Sequence, residues 1–524
     1  MTEENEDVKY DTVLENMGSC GKFQISRVLL IVFILFNVTI SQYNFLFYSL
    51  IPNYRCSVPN CEDVPPSNYT EYQPKWLKYA VPYKNNLPQK CDMYEYIGGE
   101  NLTEYIGEEN STECSIDSFN TTNIIRCNDY IFDGPKFIGI AREFGIYCED
   151  KLWMLTLPAS IQFVGQFLDP LSGYLSDRFG RKRVFLALSF STGIICQLQA
   201  YFAYNYWVLI FFELLQSIIR TGVMPVAFTL SLELISAKHR SLGAFFVFMT
   251  GVSGEAILGI IAMYASNWRT MIHISSFPPL LILFYGWIIP ESIRWLLAKN
   301  KIKKANNAIS KIAKVNGVKW NLDNCVKFES KTDSKRCHER FVDLFKSARM
   351  VQRIAACMAC WTIVLFVFYG LILGSVTIFG NVHFNFILVS LIEIPGNLAA
   401  LVFANLIGRK KTLSISYLIA AIACFGFAFL KAFDCIYIYT AELFPTPFRQ
   451  RILSICSAFG RVGAILATQM PFLANMWVSL PYIIFGGAAV IAGIVTLVFP
   501  ETLNTKLPDT ISESVNIEND KINI

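Results

Sequence analysis

The sequence predicts an all-α polytopic membrane protein with two related halves of about six helices each. Hydrophobic residues make up 53% of the 524 residues and charged residues only 16%, whereas soluble domains average roughly 45–50% and 25%. Apolar runs long enough to cross a bilayer as a helix recur about eleven times. These runs lie at residues 25–50, 152–174, 184–202, 206–230, 242–264, 271–290, 353–375, 384–404, 412–430, 452–473 and 478–499.

The placement of positive charge predicts the orientation of the chain. Basic clusters lie at 178–183, 299–304, 409–411 and 449–451, and short loops rich in Lys and Arg face the cytoplasm. About two dozen polar, acidic residues precede the first run, so we expect a span there rather than a cleavable signal peptide. The expected segments are a cytoplasmic N-terminal tail at 1–24, a first span at 25–50, an extracellular Cys-rich loop at 51–150, spans 2–6 at 151–290, a cytoplasmic central loop at 291–350, a C-terminal transmembrane half at 351–500 and a cytoplasmic tail at 501–524.

The segment 51–150 has the features of an extracellular domain. It contains four N-glycosylation sequons, which are used only outside the cytoplasm. They begin at Asn68, Asn101, Asn110 and Asn120. It also contains six cysteines, namely Cys56, Cys61, Cys91, Cys114, Cys127 and Cys148. Six cysteines in an oxidising compartment indicate a disulfide framework with 15 possible pairings, among which the sequence does not choose.

Three motifs occur twice, which indicates two related halves. Asp177-Arg-Phe-Gly-Arg-Lys returns as Asn405-Leu-Ile-Gly-Arg-Lys. Glu233-Leu and an Arg seven residues after the Glu return at Glu442 and Arg449, and Pro290-Glu-Ser returns as Pro500-Glu-Thr. Two halves of about six helices joined by a large basic loop are the plan of parallel-repeat transporters, whose substrate site lies at mid-membrane between the halves.

The second half is one span short. The chain takes 56 residues from Asp177 to Glu233 but only 37 from Asn405 to Glu442, a difference of about one membrane crossing. The basic clusters at 409–411 and 449–451 both belong in the cytoplasm, which needs an even number of crossings. We therefore expect one span to be missing between Asn405 and Glu442, and we interpret its loss as a skipped exon or a faulty gene model. A genuinely shortened protein is the alternative.

Several motifs together resemble one transporter family. They are Met17-Gly-Ser-Cys-Gly-Lys-Phe-Gln, the long Cys-rich first outer loop, GYLSDRFGRKR, PESIRWLL, YTAELFPTPFR and PETLNTKLPDT, starting at Gly173, Pro290, Tyr439 and Pro500 for the last four. In order and spacing they resemble the organic cation, carnitine and organic anion transporters of the major facilitator superfamily, over nearly the whole chain. The chain departs from that pattern at Ile293, where the family usually has Pro, and at Asp169-Pro170, which replaces small or apolar residues. The resemblance also places the missing span near Leu430-Lys431, because residues 432–439 resemble only the last half of the family's tenth span.

The resemblance implies a conformational latch at the cytoplasmic ends of the spans. In this superfamily the Asp and Arg of the loop motif hold the two halves together in the outward-open state and release them as the protein turns inward. Charges near the membrane interior are costly unless they are paired, so we expect these residues to form ion pairs. The alternative is that each charge is a static anchor. The latch residues implied here are Gly173, Asp177, Arg178, Gly180, Arg181, Glu233, Arg240, Glu291, Arg294, Glu442 and Arg449.

Ionisable side chains inside predicted spans indicate the substrate site. Glu255, Glu393 and Arg461 are the clearest, whereas Glu213 and Asp169 lie nearer span ends. Phe368 and Tyr369 match an aromatic pair of the family's cation carriers, which would hold an ammonium group by cation–π attraction. Packing is the alternative role for this pair.

The charge pattern points to a substrate with mixed charge. Glu393-Ile-Pro395 resembles an acidic element of the family's cation carriers, whereas Arg461 stands where its anion and carnitine members have Arg. Asn397 stands where anion members tend to carry Lys. The sequence therefore favours a transporter of small organic ions in the plasma membrane, with a carnitine-like zwitterion as the first choice and a sugar uniporter or a non-transporting relative as alternatives.

Other function classes find no support in the sequence. The net charge of +4 is too small to indicate a nucleic-acid partner, and no nucleophile has a base beside it, so we expect no enzyme. Cys357 and Cys360 have zinc-like spacing, but they lie in an apolar run without a second ligand pair. We expect no metal and no cofactor. The oligomeric state is left open.

Overall fold

The computed structural model describes most of the chain. The residues that it describes are 21–58, 61, 72–84, 87–97, 116–133, 137–148, 150–235, 240–318, 345–375, 381–426, 446–471, 473, 477 and 479–500. Each of the eleven predicted apolar runs is mainly helical over its described residues, and several are interrupted or ended by short turns. Within the described chain, seven helices are long and apolar enough to cross a membrane, and Ile452–Ala467 forms a shorter apolar helix.

The N-terminal half contains the first six runs. Its helices are α1 (Lys22–Ile40) and α2 (Asn44–Tyr48), joined by a 3-10 turn (Ser41–Tyr43); α3 (Trp153–Gly165) and α4 (Asp169–Phe179), joined by a 3-10 turn (Gln166–Leu168); α5 (Arg181–Phe202); α6 (Tyr206–Arg220) and α7 (Val223–Leu234); α8 (Arg240–Tyr264); and α9 (Trp268–Ser276) and α10 (Ile282–Tyr285), joined by a 3-10 turn (Pro278–Leu281). The breaks fall at residues that disfavour a continuous helix, such as Pro170 and Pro278.

Two shorter helices follow, and the C-terminal half comes after them. The short helices are α11 (Ile293–Ala298) and α12 (Ile302–Asn316), and the C-terminal helices are α13 (Ala348–Ser375), α14 (Val382–Leu406), α15 (Arg409–Gly426), α16 (Thr446–Ala467) and α17 (Leu480–Val495). The side chain of Ser292 caps α11 by accepting a hydrogen bond from the Trp295 N–H. An apolar face of α12 packs on α11 and on Phe23 at the start of α1. The segment 291–350 thus contains helices packed against the first span.

The two halves repeat the same pattern of helix packing. In the N-terminal half α1 packs against α8, and α5 packs against the Pro278–Leu281 turn and α10. In the C-terminal half α13 packs against α16, and α15 packs against α17. Across the two halves, α4 contacts α16 and α14 contacts α8. The prediction of two pseudo-repeated halves is confirmed.

The repeated loop motif has the same backbone conformation in both halves. Gly180 lies between α4 and α5 with φ +110°, and Gly408 lies between α14 and α15 with φ +100°. Only glycine adopts this region without steric cost. The repeat of Gly in the motif therefore reflects a repeated tight reversal between two helices.

The segment that the sequence predicts to be extracellular forms a compact unit of its own, over Phe47–Leu155 and Ser266–Trp268, which we call the outer unit. It contains three two-stranded antiparallel sheets. Their strands are β1 (Tyr54–Cys56) with β6 (Tyr130–Phe132), β2 (Tyr83–Lys84) with β3 (Leu87–Pro88), and β4 (Asp92–Tyr96) with β5 (Phe119–Arg126). Within the described chain, strands occur only in this unit. The remaining elements are helices, as the all-α prediction expects.

Disulfides hold this outer unit together, as predicted. Cys56 pairs with Cys127 and Cys91 pairs with Cys148, closing loops of 71 and 57 residues. Cys61 is also disulfide-bonded, and Cys114 lies outside the described residues. Two of the pairings that the sequence left open are thus assigned. In the membrane unit, the described cysteines Cys196, Cys357, Cys360 and Cys456 are free and buried.

We expect the outer unit to carry N-glycans. Of the four sequons only Asn120 lies in the described residues, on β5, where its Oδ1 accepts a 2.6 Å hydrogen bond from the Thr122 hydroxyl. Endoglycosidase treatment should raise gel mobility, and Asn120→Gln should remove one step of that change. Unchanged mobility, together with maleimide labelling of the outer cysteines without reductant, would contradict the extracellular assignment.

The predicted missing span lies outside the described residues, since 427–445 separate α15 from α16. We expect a transcript amplified across Leu430-Lys431 to encode one additional crossing of about 20 residues. An uninterrupted message that encodes Leu430-Lys431 as printed would contradict the exon explanation. In that case we expect poor transport.

Candidate functional site

An aromatic cluster connects helices of the two halves. Tyr43 and Phe163 come from the N-terminal half, and Tyr369 and Phe386 come from α13 and α14. The ring centroids of Phe163 and Tyr369 lie 4.5 Å apart, and Tyr43 lies 6.4 Å from Tyr369 and 6.5 Å from Phe386. All four side chains are at most 5% exposed. The cluster is therefore a buried aromatic contact between the two halves.

Charged groups lie directly beside these rings. Arg461, near the middle of α16, donates a 3.3 Å hydrogen bond from Nη1 to the Tyr369 hydroxyl. Tyr369 and Glu255 on α8 both interact electrostatically with Tyr43. Arg461 interacts electrostatically with the carboxylate of Asp169 at the start of α4. A guanidinium, two carboxylates and two hydroxyls are thus grouped between the halves.

The other predicted substrate residues are placed on the same helices. Phe368 lies beside Tyr369 with ring centroids 5.1 Å apart. Glu393 is 4% exposed and Asn397 is 5% exposed, both on α14. Glu213 lies on a different helix, α6, where its carboxylate accepts a 2.7 Å hydrogen bond from Gln199. The substrate-binding role of Phe368 and Glu393 stays a prediction.

The sequence did not predict that Asp169 and Tyr43 lie beside the other residues of this cluster. Asp169 was ambiguous because it lies toward the end of an apolar run, yet its charge acts on Arg461. Its departure from the family pattern was the one available signal. Tyr43 lies in an apolar run without a motif, so nothing in the sequence distinguished it from a packing residue.

A second charged cluster lies at the loop motif. Asp177 Oδ1 and Arg181 Nη2 are 3.3 Å apart, and Arg181 Nε and Glu233 Oε2 are 2.7 Å apart. The Arg181 Nε–H does not point at the Glu233 oxygen, so this pair is ionic without a well-aligned hydrogen bond. Arg181 and Glu233 side chains are each 15% exposed, whereas Asp177 is 64% exposed. The Arg181–Glu233 pair is therefore the better shielded of the two contacts.

Glu291 and Trp295 fix the turn at Gly180. Glu291 Oε1 accepts hydrogen bonds from the N–H groups of Lys182 and Ser292, each at 3.0 Å. Its carboxylate thereby covers the positive N-terminus of α5. Trp295 Nε1 donates a 2.8 Å hydrogen bond to the Asp177 carbonyl. A side chain at Gly180 would collide with Glu291, which is a second reason for glycine there.

Only some of the residues that the resemblance implies for the latch lie in the described part of the chain. Arg294 interacts electrostatically with Glu233, Arg178 contacts the Tyr174 hydroxyl, and Gly173 has open space beside it. The contacts of Asp177, Arg181, Glu233 and Glu291 given above lie within the N-terminal half and the start of the segment 291–350, and none of them reaches the C-terminal half. Glu442 and the side chains of Arg240 and Arg449 lie outside the described residues. A contact between the halves at the latch therefore stays a prediction.

The backbone of α16 approaches α13 closely beside Arg461. A Cβ at Gly463 would collide with the carbonyl of Thr362, and one at Gly460 would lie 2.7 Å from Leu365. These two glycines flank Arg461 and bring it within reach of Tyr369. Small residues at such crossings let membrane helices pack closely.

We expect Gly463→Ala to push α16 away from α13. Overpacking of this kind costs about 1–3 kcal/mol. The melting temperature of the purified protein should fall and uptake should fall with it. Gly487→Ala is the matched control, because nothing lies within 4 Å of the added Cβ there. Equal melting temperatures for the two variants would contradict the close packing of α13 and α16.

Known proteins resemble this chain in sequence. The family model for "Sugar (and other) transporter" matches residues 147–435. Solute carrier family 22 member 3 of Mus musculus is 30% identical, with 71% of each chain covered. The chain belongs to solute carrier family 22. Member 1 of Bos taurus is 28% identical over 97% of this chain and 93% of its own, and the organic cation/carnitine transporter 2 of Mus musculus is 26% identical over 97% and 94%.

Solved structures share the fold of this family 22 protein. The major facilitator proton:xylose symporter XylE, bound to 6-bromo-6-deoxy-D-glucose, matches with a TM-score of 0.53 and 17% identity, over 71% of this chain and 92% of that chain. The inward open xylose transporter XylE from E. coli matches with a TM-score of 0.51 and 19% identity, over 72% and 92%. The predicted major facilitator fold is confirmed, and the protein is a multi-pass membrane protein homologous to transporters.

Proposed function

We propose that the protein carries small organic ions across the plasma membrane by alternating access, with the central cluster as its substrate site. The observation that carries this proposal is Arg461, held at Tyr369 and acting on Asp169 between the two halves. A guanidinium in the bilayer interior is costly, so it is retained where it faces water, a partner or a substrate.

The composition of the site supports an organic ion rather than a neutral sugar. Glu255 and Asp169 provide negative charge, and Arg461 provides a planar fork that binds a carboxylate through two parallel hydrogen bonds. The rings of Tyr43, Phe163 and Tyr369 provide faces for a quaternary ammonium group. A carnitine-like zwitterion, which has a carboxylate and an ammonium group, would use both features.

The experiment is an uptake panel at varied sodium and pH. Cells that express the full chain are given tetraethylammonium, carnitine, p-aminohippurate and glucose. The proposal expects saturable uptake of at least one organic ion, with carnitine first, and no uptake of glucose. Uptake of glucose alone would favour a sugar carrier of the same fold, and no uptake despite surface expression would favour a non-transporting relative.

A further inference from the structure

A basic cavity adjoins the loop motif on the side that positive charge assigns to the cytoplasm. Its volume is about 240 Å³, several times the roughly 30 Å³ of one water in the liquid. The cavity is formed where the start of α5 meets α11 and the start of α12. Its lining includes Lys182, Arg183, Glu291, Trp295, Lys301 and Lys304.

The cations of this cavity outnumber its one carboxylate. In the described part of the chain, none of Lys182, Arg183, Lys301 and Lys304 forms an ion pair. Glu291 is already engaged by two backbone N–H groups. The Glu291 carboxylate acts favourably on Lys182, whereas Lys311 and Arg183 both repel it, so one carboxylate faces several opposing positive charges. Such an excess of cations around a cavity is stabilised by an anion with several negative charges.

The chemistry of the lining fits phosphate. Lys ammonium groups and the Arg guanidinium are the side chains that bind phosphate oxygens by charge-assisted hydrogen bonds. Lys301 is held over the Trp295 ring, with Nζ 4.3 Å from the centroid. This contact keeps one cation against the lining of the cavity. Anionic lipids of the cytoplasmic leaflet are attracted to basic clusters at this level of the membrane.

We propose that this cavity binds a phosphorylated ligand, through the headgroup of an anionic lipid or through a soluble organic phosphate. The site adjoins the latch, because Glu291 holds the N–H of Lys182 and Trp295 holds the carbonyl of Asp177. A ligand in the cavity would therefore lie against Glu291 and Trp295, the two residues that fix the turn at Gly180.

The experiment measures binding to the purified full chain in detergent. The probe is a fluorescent short-chain phosphatidylinositol 4,5-bisphosphate, followed by anisotropy. We expect saturable binding, and we expect Lys301→Ala/Lys304→Ala to weaken it roughly tenfold or more. The matched control is Lys303→Ala/Lys314→Ala, which removes the same charge from the same region outside the cavity lining and should change binding less than about twofold.

Competition separates the two sources of phosphate. Inositol 1,4,5-trisphosphate or ATP that displaces the probe at equal concentration identifies a soluble ligand, whereas displacement by the unlabelled lipid alone identifies a lipid headgroup. Either result agrees with a phosphate site. Equal weakening by the two double variants, or no saturable binding of the probe, would overturn it. This test does not depend on transport, so it is independent of the proposed substrate.

Discussion

Asp177→Asn and Arg181→Ala should both slow transport, with Arg181→Ala the more severe. Asp177 is exposed, and an exposed ion pair contributes about 0.2–1 kcal/mol, so its loss should reduce turnover up to about fivefold. Arg181→Ala leaves Glu233 shielded without that partner, a change that costs about 3–5 kcal/mol when a buried pair is broken. We therefore expect nearly complete loss of uptake.

The readout is uptake rate per molecule at the cell surface, measured by biotinylation. The exposed Lys299, on the same side of the membrane but outside the network, is the control, and Lys299→Ala should transport normally. A slowed turnover with normal surface amount supports a switch. If Asp177→Asn and Arg181→Ala both transport at the normal rate, the latch interpretation is wrong.

Arg461→Asp should change which substrates are carried. The substitution removes the guanidinium that faces Tyr369 and places a second carboxylate near Asp169. Carnitine-like and anionic substrates should be lost, and simple cations such as tetraethylammonium should gain access. Arg461→Lys should retain partial activity, because an ammonium keeps the charge but loses the bidentate geometry.

Equal loss of every substrate from Arg461→Asp at normal surface amount would favour a purely structural role for Arg461. Unchanged selectivity would contradict the proposal that the charge of Arg461 decides which substrates are carried. If the chain as printed does not transport, the same variants are tested in a chain to which the predicted missing span has been added.

The sequence predicted the framework because its signals are local. Apolar runs predicted the helices, and the repeated loop motif predicted two related halves, in which Gly180 and Gly408 both have a positive φ. Hydrophobic length and a single backbone requirement are properties of short segments, so they can be read without knowing which helices touch.

The site was predicted less completely because it depends on contacts between distant segments. Arg461 and Tyr369 were singled out, but their contact depends on the close approach of α13 and α16 at Gly463. The role of Asp169 and the pairing of Cys56 with Cys127 likewise depend on register and on three-dimensional proximity. No local pattern encodes these distances.

A charge swap tests the central claim most directly. Arg461→Asp with Asp169→Arg retains both charges and exchanges their positions, and uptake of carnitine, p-aminohippurate and tetraethylammonium is compared with that of each single variant. If Arg461 contacts the substrate, the double variant should reach the surface yet fail to regain wild-type uptake of carnitine and p-aminohippurate. Recovery of the wild-type substrate profile by the swap would show a structural ion pair and contradict the account.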